Sequence, residues 1–167
     1  MKRILSVTLA TILLIGISAL AYGGNAKGDV TGKSMNDHFE FNVHETDTSA
    51  YLGTGHVNYS RPDKFDYKFE VKYVRVAPEE HVTWFAGHVI DSQYGQNLGR
   101  WMTFVFCDQD NEKCPTDMQA GQWIPDLDMS AEEQEEIALD WVQNGFPDPY
   151  AGTTPVIKGN LIVNFEE

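Results

Sequence analysis

Residues 65–90, FDYKFEVKYVRVAPEEHVTWFAGHVI, decide the fold of this chain. From Phe65 to Tyr73, apolar side chains alternate with charged ones, a period of two that is typical of a β-strand with one face in the core and one in water. Pro78-Glu79-Glu80 then forms a turn, and Val82–Ile90 is apolar at nearly every position. That second segment is expected to be covered on both faces. The stretch therefore predicts an antiparallel β-hairpin.

The alternation changes phase within the first strand of this hairpin. Val74 and Val76 are both apolar, with Arg75 between them, whereas the earlier apolar residues fall at odd positions. A β-bulge re-aims the side chains that follow it. We therefore expect a bulge or sharp bend near Tyr73-Val74.

The amino terminus has the three parts of a secretory signal peptide. Lys2 and Arg3 precede an apolar run from Ile4 to Leu20, and small residues lead to an expected cleavage site after Ala21. An uncleaved membrane anchor is the alternative, but the run is at the short end of what a spanning helix needs. We expect a secreted or periplasmic protein with no stable membrane insertion after cleavage.

Three segments follow from this interpretation. Residues 1–21 are the signal peptide, residues 22–28 are a small, polar and flexible leader, and residues 29–167 form one domain. About 146 residues remain after cleavage, which is enough for a single core.

The composition is strongly acidic. The chain carries a formal net charge of −13, and loss of the basic signal peptide would make this about −15. Nucleic acid and anionic lipid surfaces repel such a chain, so nucleic-acid binding is not expected. The charge permits cations or basic partners, although solubility alone also accounts for it.

Further strands are predicted on both sides of the hairpin. Phe39–Val43 alternates, Arg100–Cys107 is apolar on both faces, and Val156–Phe165 keeps its large apolar residues in phase. Tyr51–Tyr59 is also a strand, and its two glycines, Gly53 and Gly55, predict a bulge, a bend or the close approach of another element.

One helix is predicted after residue 130. Ser130 and Glu133 have the spacing of a capping box, and Gly145 is placed to end the helix. Ile137, Ala138, Trp141 and Val142 form one apolar stripe, which favours packing on the same domain over binding a partner helix.

The sequence therefore predicts a mainly β fold: a single antiparallel β-barrel or barrel-like sandwich of about 7–8 strands with one amphipathic helix packed on it. An outer-membrane barrel of eight strands would also fit the length. The acidic helix, the long loop after Cys107 and the ending Phe165-Glu166-Glu167 argue against it.

The two cysteines, Cys107 and Cys114, flank a polar loop. In an oxidising compartment we expect them to form a structural disulfide. A metal thiolate pair or a redox-active dithiol is the alternative, but the spacing is not Cys-x-x-Cys.

The same loop offers a weak calcium hypothesis. Its candidate ligands, with oxygens at mostly alternate positions, are Asp108, Asp110, Glu112 and Asp117. Lys113 and Gln119 stand where an EF-hand loop needs glycine and glutamate. A solvated acidic turn is the favoured interpretation, and no other cofactor is expected.

Aromatic residues suggest a second kind of site. A small barrel can hold an apolar ligand in its interior. The candidate lining residues are Tyr67, Tyr73, Trp84, His88 and Trp101. A core filled by its own side chains is the favoured alternative, and His88 beside Trp84 is typical of a hydrogen-bonded core histidine.

Motifs for catalysis are missing from the sequence. It contains no Gly-x-Ser-x-Gly elbow, no phosphate loop and no His-Glu-x-x-His helix, and its five histidines form no local metal-binding pair. No catalytic residue is predicted. A hydrolase of the cell envelope or matrix would gain support if a cleft brought two carboxylates, or a histidine and a carboxylate, within about 10 Å of each other.

Several short segments resemble a known group. They are Gly55-His56-Val57-Asn58-Tyr59, Trp84-Phe85-Ala86-Gly87, Asn97-Leu98-Gly99, Asp110-Asn111-Glu112 and Lys158-Gly159-Asn160-Leu161. Together they resemble the post-COAP-like domains, small exported all-β domains of bacterial secreted proteins. The resemblance implies a secreted β-domain and implies no activity.

These observations predict an exported binding or accessory module of the periplasm or extracellular space, whose partner is an unknown protein or a small apolar ligand. A carrier of small apolar ligands and an envelope hydrolase are the alternatives.

Overall fold

The structure is a computed structural model that describes residues 24–32, 37–62, 64–108, 116–124, 128–146 and 154–165. The predicted signal peptide lies outside these residues. The described part of the chain contains eight strands and one α-helix: β1 Gly24–Gly32, β2 His38–Asp47, β3 Leu52–Arg61, β4 Phe65–Ala77, β5 Val82–Ser92, β6 Trp101–Cys107, β7 Met118–Trp123, α1 Ala131–Asn144 and β8 Thr154–Phe165. In these ranges no helix has both the length and the apolarity needed to cross a membrane.

The strands pair in chain order and curl into a barrel. Every neighbouring pair is antiparallel, and β1 also pairs with β8, which closes the ring. The β1–β8 contact runs from Gly24 to Gly32. In the described residues β7 and β8 share two residue pairs, at Met118 and Gln119, and the Val156 N–H of β8 donates to the Asp117 carbonyl at 2.9 Å beside them. The predicted antiparallel barrel with one packed helix is confirmed.

The hairpin that decides the fold forms as predicted. A 3₁₀ turn at Pro78–Glu80 joins β4 to β5. The register shifts between Val71 and Tyr73, which confirms the predicted bulge. Before the shift Val71 contributes to the barrel interior, and after it Val74 takes that place while Tyr73 packs on the helix side of the wall.

The barrel interior is filled by side chains. Its centre is a cluster of phenylalanine rings, each at most 3% exposed: Phe39, Phe41, Phe69, Phe85, Phe104 and Phe106. Within this cluster, contacting rings have centroids between 4.2 and 6.1 Å apart. Interiors packed in this way lose stability when even one ring is removed.

A second core lies outside the barrel wall, beneath α1. Trp141 and Val142 of the helix pack against Trp84 and Trp101 of the strands. Because β5 and β6 face the barrel interior on one side and the helix on the other, nearly all their residues up to Val89 are buried. The prediction that both strands are covered on both faces is confirmed as far as Val89, whereas Ile90, at the end of the predicted stretch, is exposed.

The ends of α1 also follow the sequence. The Ser130 hydroxyl accepts a hydrogen bond from the Glu133 N–H at 3.2 Å, and the Glu133 carboxylate accepts one from the Ser130 N–H at 2.8 Å. Gly145, with φ of 81°, donates its N–H to the Trp141 carbonyl and caps the carboxyl end. The predicted capping box and helix end are confirmed.

Two segments differ from the predictions. Residues 24–28, expected to belong to the flexible leader, are the first part of β1 and pair with both β2 and β8. Residues 118–123, expected to be loop, form β7 on the open side of β6. Neither segment alternates strongly, and each becomes a strand because a partner strand lies beside it.

The two glycines of β3 are sites of close approach, as predicted. A Cβ on Gly53 would lie 2.3 Å from a Val74 side-chain carbon. Gly55 has φ of +152°, and a Cβ there would lie 2.3 Å from the Asn42 carbonyl oxygen. Only residues without side chains let β2, β3 and β4 come together here.

Candidate functional site

A cleft of ≈ 420 Å³ lies on the outer face of the barrel wall. Its outward-facing side chains come from four neighbouring strands: Lys27 and Asp29 of β1, Glu40 and Asn42 of β2, His56 of β3, and Ile162 of β8. Gly28 and Phe41 also line it. The volume is within the range of small-ligand sites, and polar side-chain ends are set in a lining whose larger part is apolar.

Strand register arranges these side chains as a grid. In one row Lys27 lies opposite Asn42, and Asn42 lies opposite His56. In the next row Asp29 lies opposite Glu40. Residues directly opposite in an antiparallel pair have Cβ atoms about 4.5–5.5 Å apart, so the two carboxylates share one end of the cleft.

Few protein groups engage those carboxylates. The Asn58 side-chain amide donates to Glu40 at 3.0 Å, and the nearest Asp29 oxygen lies 3.7 Å from His38 Nε2. Like charges placed opposite each other destabilise a strand pair. The cleft therefore holds acceptors whose repulsion a bound donor or cation would relieve.

A second depression of ≈ 290 Å³ lies where β4 and β5 run together. Its lining includes Lys68 and Asp91, which form an ion pair at 3.1 Å. Because these charges satisfy each other, they are less available to a ligand.

The proposed aromatic lining residues do not come together. Tyr67 belongs to the barrel interior, whereas Tyr73, Trp84 and Trp101 belong to the second core beneath α1. The wall of the barrel separates the two groups. Tyr73 faces the helix because the bulge in β4 changes which side of the strand its side chain is on. Trp84 and Trp101 face the helix because they occupy the outward-facing positions of β5 and β6.

Tyr67 lies at one end of the filled interior. Its hydroxyl accepts a hydrogen bond from the Asn97 side chain at 2.9 Å, and its ring centroid is 5.5 Å from that of Trp123. The Arg100 guanidinium lies 4.9 Å from the Trp123 ring centroid and covers it. These contacts close the interior around Tyr67.

His88 lies on the outer face next to Trp101, with ring centroids 5.3 Å apart. Its Nε2 is 3.6 Å from a Glu70 carboxylate oxygen, and its Nδ1 is buried with no hydrogen-bond partner among the described residues. The imidazole is thus packed on an aromatic ring at the margin of the helix.

Polar contacts near this histidine tie α1 to β4. The Glu135 carboxylate accepts hydrogen bonds from the Tyr73 hydroxyl at 2.7 Å and from the Lys72 ammonium. Burial acts to raise the pKa of Glu135, but these two hydrogen bonds outweigh it and hold the pKa below its ordinary value. Burial, followed by the Glu135 contact, raises the pKa of Tyr73. We interpret this cluster as a structural link.

The calcium hypothesis for the acidic loop stays a prediction. Of its candidate calcium ligands, Asp110 and Glu112 lie outside the described residues, and Asp108 and Asp117 lie at the two edges of the gap. No group of three or more potential metal ligands comes together in the described parts of the chain. The predicted disulfide also stays untested, because Cys114 lies in the same gap.

Sequence reasoning did not find the cleft. Alternation predicts that Glu40 and Asn42 face water, but it does not say which residues of β1 and β3 lie beside them. That information is in the register between strands. Comparison of the chain with protein-family models, with curated proteins and with solved structures finds no match. The resemblance to the post-COAP-like group therefore stays a prediction, and function has to be inferred from side chains and their placement.

Proposed function

We propose that this chain is an exported binding module that holds a small polar ligand in the cleft on its outer face. The observation that supports this most strongly is the convergence of Lys27, Asp29, Glu40, Asn42 and His56 from three strands on one concave surface. Sites that bind small ligands combine such a concavity with a few convergent polar groups.

The filled interior also directs attention to the outer face. Phe69, Phe85 and Phe104 are fully buried at the centre of the barrel. A ligand in that space would have to displace packed rings, which costs several kcal/mol per ring. The cleft takes a ligand without such a rearrangement.

Binding is tested by thermal unfolding of the purified protein with a panel of sugars, amino acids, short peptides, polyamines and metal ions. A ligand that binds only the folded state raises the melting temperature. We expect the shift caused by a cleft ligand to be lost in His56→Ala. It should persist in His44→Ala, a histidine on the adjacent strand that does not line the cleft.

If no member of the panel shifts the melting temperature at millimolar concentration, the cleft does not bind these classes of ligand. If a ligand shifts all three proteins equally, it binds elsewhere.

A second candidate function is hydrolysis, because Asp29 and Glu40 lie opposite each other in the cleft. Glycoside hydrolases use two carboxyl groups about 5–10 Å apart. Chromogenic glycosides test this directly. Turnover that is abolished by Glu40→Gln and by Asp29→Asn would favour an enzyme, and binding without turnover would favour a module.

Export is tested separately. In cells that make the full chain, we expect a mature amino terminus at Tyr22 in the periplasmic or culture fraction, as read by mass spectrometry. Retention of the full-length chain in the cytoplasm would contradict export without affecting the cleft.

A further inference from the structure

We infer that the ligand of the cleft is a zwitterion of about dipeptide length, with its ammonium group at Asp29 and Glu40 and its carboxylate at Lys27. This inference rests on the proposed function of the cleft and adds the chemical class of the ligand.

The first observation is a separation of charge within the cleft. Lys27 and Asp29 are two residues apart on β1, and both line the cleft. Their side chains project on the same face, and their Cα atoms are about 6.5–7 Å apart at the usual rise per residue. One end of the cleft is therefore cationic and the other is anionic.

The second observation is that these charges lack strong partners of their own. Among the described side chains, no carboxylate lies within ion-pair distance of the Lys27 ammonium, and no lysine or arginine lies within that distance of Asp29 or Glu40. Asn58 donates a neutral hydrogen bond to Glu40. This contrasts with the second depression, where Lys68 and Asp91 pair directly.

The third observation is the placement of further hydrogen-bonding groups. Asn42 and His56 continue the row that begins at Lys27, and Ile162 lies on the other side of Lys27. An amide side chain can both donate to and accept from a peptide bond. Ile162 offers an apolar contact for a small side chain. Because these groups flank Lys27 in its own row, they would contact the carboxylate end of the ligand.

Length selects among ligands with both charges. An extended dipeptide separates its terminal groups by about two residue rises, roughly 7 Å, which matches the spacing of Lys27 and Asp29 along the strand. A free amino acid is too short to reach both ends, and a diamine would place one cation at Lys27. The dipeptide class therefore fits best.

The experiment uses four probes and calorimetric titration of the purified protein: dialanine, N-acetyl-dialanine, dialanine amide and putrescine. We expect dialanine to bind, and we expect removal of either terminal charge to weaken binding by about tenfold, the size typical of one charge-assisted hydrogen bond. Binding should also weaken as salt is added, because the cleft is exposed.

Two variants assign the ends of the ligand. In Lys27→Met, dialanine and dialanine amide should bind equally. In Asp29→Asn, dialanine and N-acetyl-dialanine should differ much less than they do with the unchanged protein. Lys68→Met is the matched control, since it removes a lysine from the same outer surface without touching the cleft. All three positions are exposed, and far-UV circular dichroism checks the fold.

Each contrary result has a distinct meaning. Putrescine binding as tightly as dialanine, with no effect of Lys27→Met, would overturn the zwitterion in favour of a simple cation. No heat with dialanine at millimolar concentration would also overturn it. The proposed function itself would still be tested separately, by thermal unfolding of the unchanged protein and His56→Ala with the wider ligand panel.

Discussion

The Glu45 carboxylate accepts a hydrogen bond from the backbone N–H of Val76, at 3.4 Å, across one end of the barrel. Glu45 is 8% exposed and belongs to β2, whereas Val76 belongs to β4. Burial raises the pKa of Glu45 above its ordinary 4.5, although the N–H groups of Val76 and Gly24 and the charge of Arg75 act against the shift.

A raised carboxyl pKa makes the folded state the better proton binder. Stability is therefore lost as pH rises from about the unfolded value through the folded one, and the cost persists above it. We predict that Glu45→Gln, which cannot ionise, gains stability relative to the unchanged protein between pH 4 and pH 7. Urea unfolding across that range measures the difference. Glu79→Gln, at an exposed position, should show no such trend.

The hydrogen bonds from Lys72 and Tyr73 to Glu135, which tie α1 to β4, should give the opposite dependence of stability on pH. Because the Lys72 and Tyr73 hydrogen bonds lower the pKa of Glu135 in spite of burial, its stabilising effect is present above the unfolded value and disappears as pH falls through the folded one. We predict that Glu135→Gln costs about 1 kcal/mol at pH 7 and little at pH 3. Glu136→Gln, exposed on the same helix, is the control, and an equal loss in both variants would contradict the link.

Removal of one interior ring should be severe. The Phe104 ring lies 5.1 Å from that of Phe69 and 5.2 Å from that of Phe85, and it is fully buried. We expect Phe104→Ala to reduce the free energy of unfolding by about 3–5 kcal/mol, through lost contacts and the cavity left behind. Tyr94→Ala, at a 62% exposed position, should change it by less than about 0.5 kcal/mol. A small effect at Phe104 would indicate an interior that is looser than the structure shows.

Gly55 should not tolerate a side chain. A Cβ there meets the Asn42 carbonyl in addition to the strain of its positive φ, whereas a Cβ on Gly95, also at positive φ, meets nothing within 4 Å. We predict that Gly95→Ala costs about 1 kcal/mol and that Gly55→Ala costs at least about 2 kcal/mol more. Thermal unfolding of the two variants side by side measures this difference, and equal losses would show that β2 can move away from β3.

The elements that sequence alone predicts are those whose pattern is local. The hairpin of β4 and β5 follows from alternation and the turn at Pro78, and the helix from the capping box at Ser130 and its apolar stripe. The bulge is visible as a phase change near Tyr73. Each depends on residues close together in the chain, where periodicity and capping apply directly.

Elements defined by distant partners are missed for a physical reason. The first part of β1 is small or polar, and β7 has large apolar residues only at its two ends, Met118 and Trp123. Both segments are strands because β2, β8 and β6 lie beside them. Glu45 lies beyond the alternating stretch Phe39–Val43, yet it belongs to β2 and is buried. The cleft depends on the register among β8, β1, β2 and β3, which no spacing within one segment encodes.

The short contact between β7 and β8 predicts where the barrel opens first and how copies of the protein associate in solution. A ring of strands opens first at its narrowest joint, so amide hydrogens near Gln119 and Thr154 should exchange with deuterium well before those between β3 and β4. Opening at this joint exposes two unpaired strand edges, and each edge can pair with a strand from another copy of the chain. Slow formation of strand-exchanged oligomers in concentrated samples is then expected to begin at this joint, while the rest of each barrel is still intact.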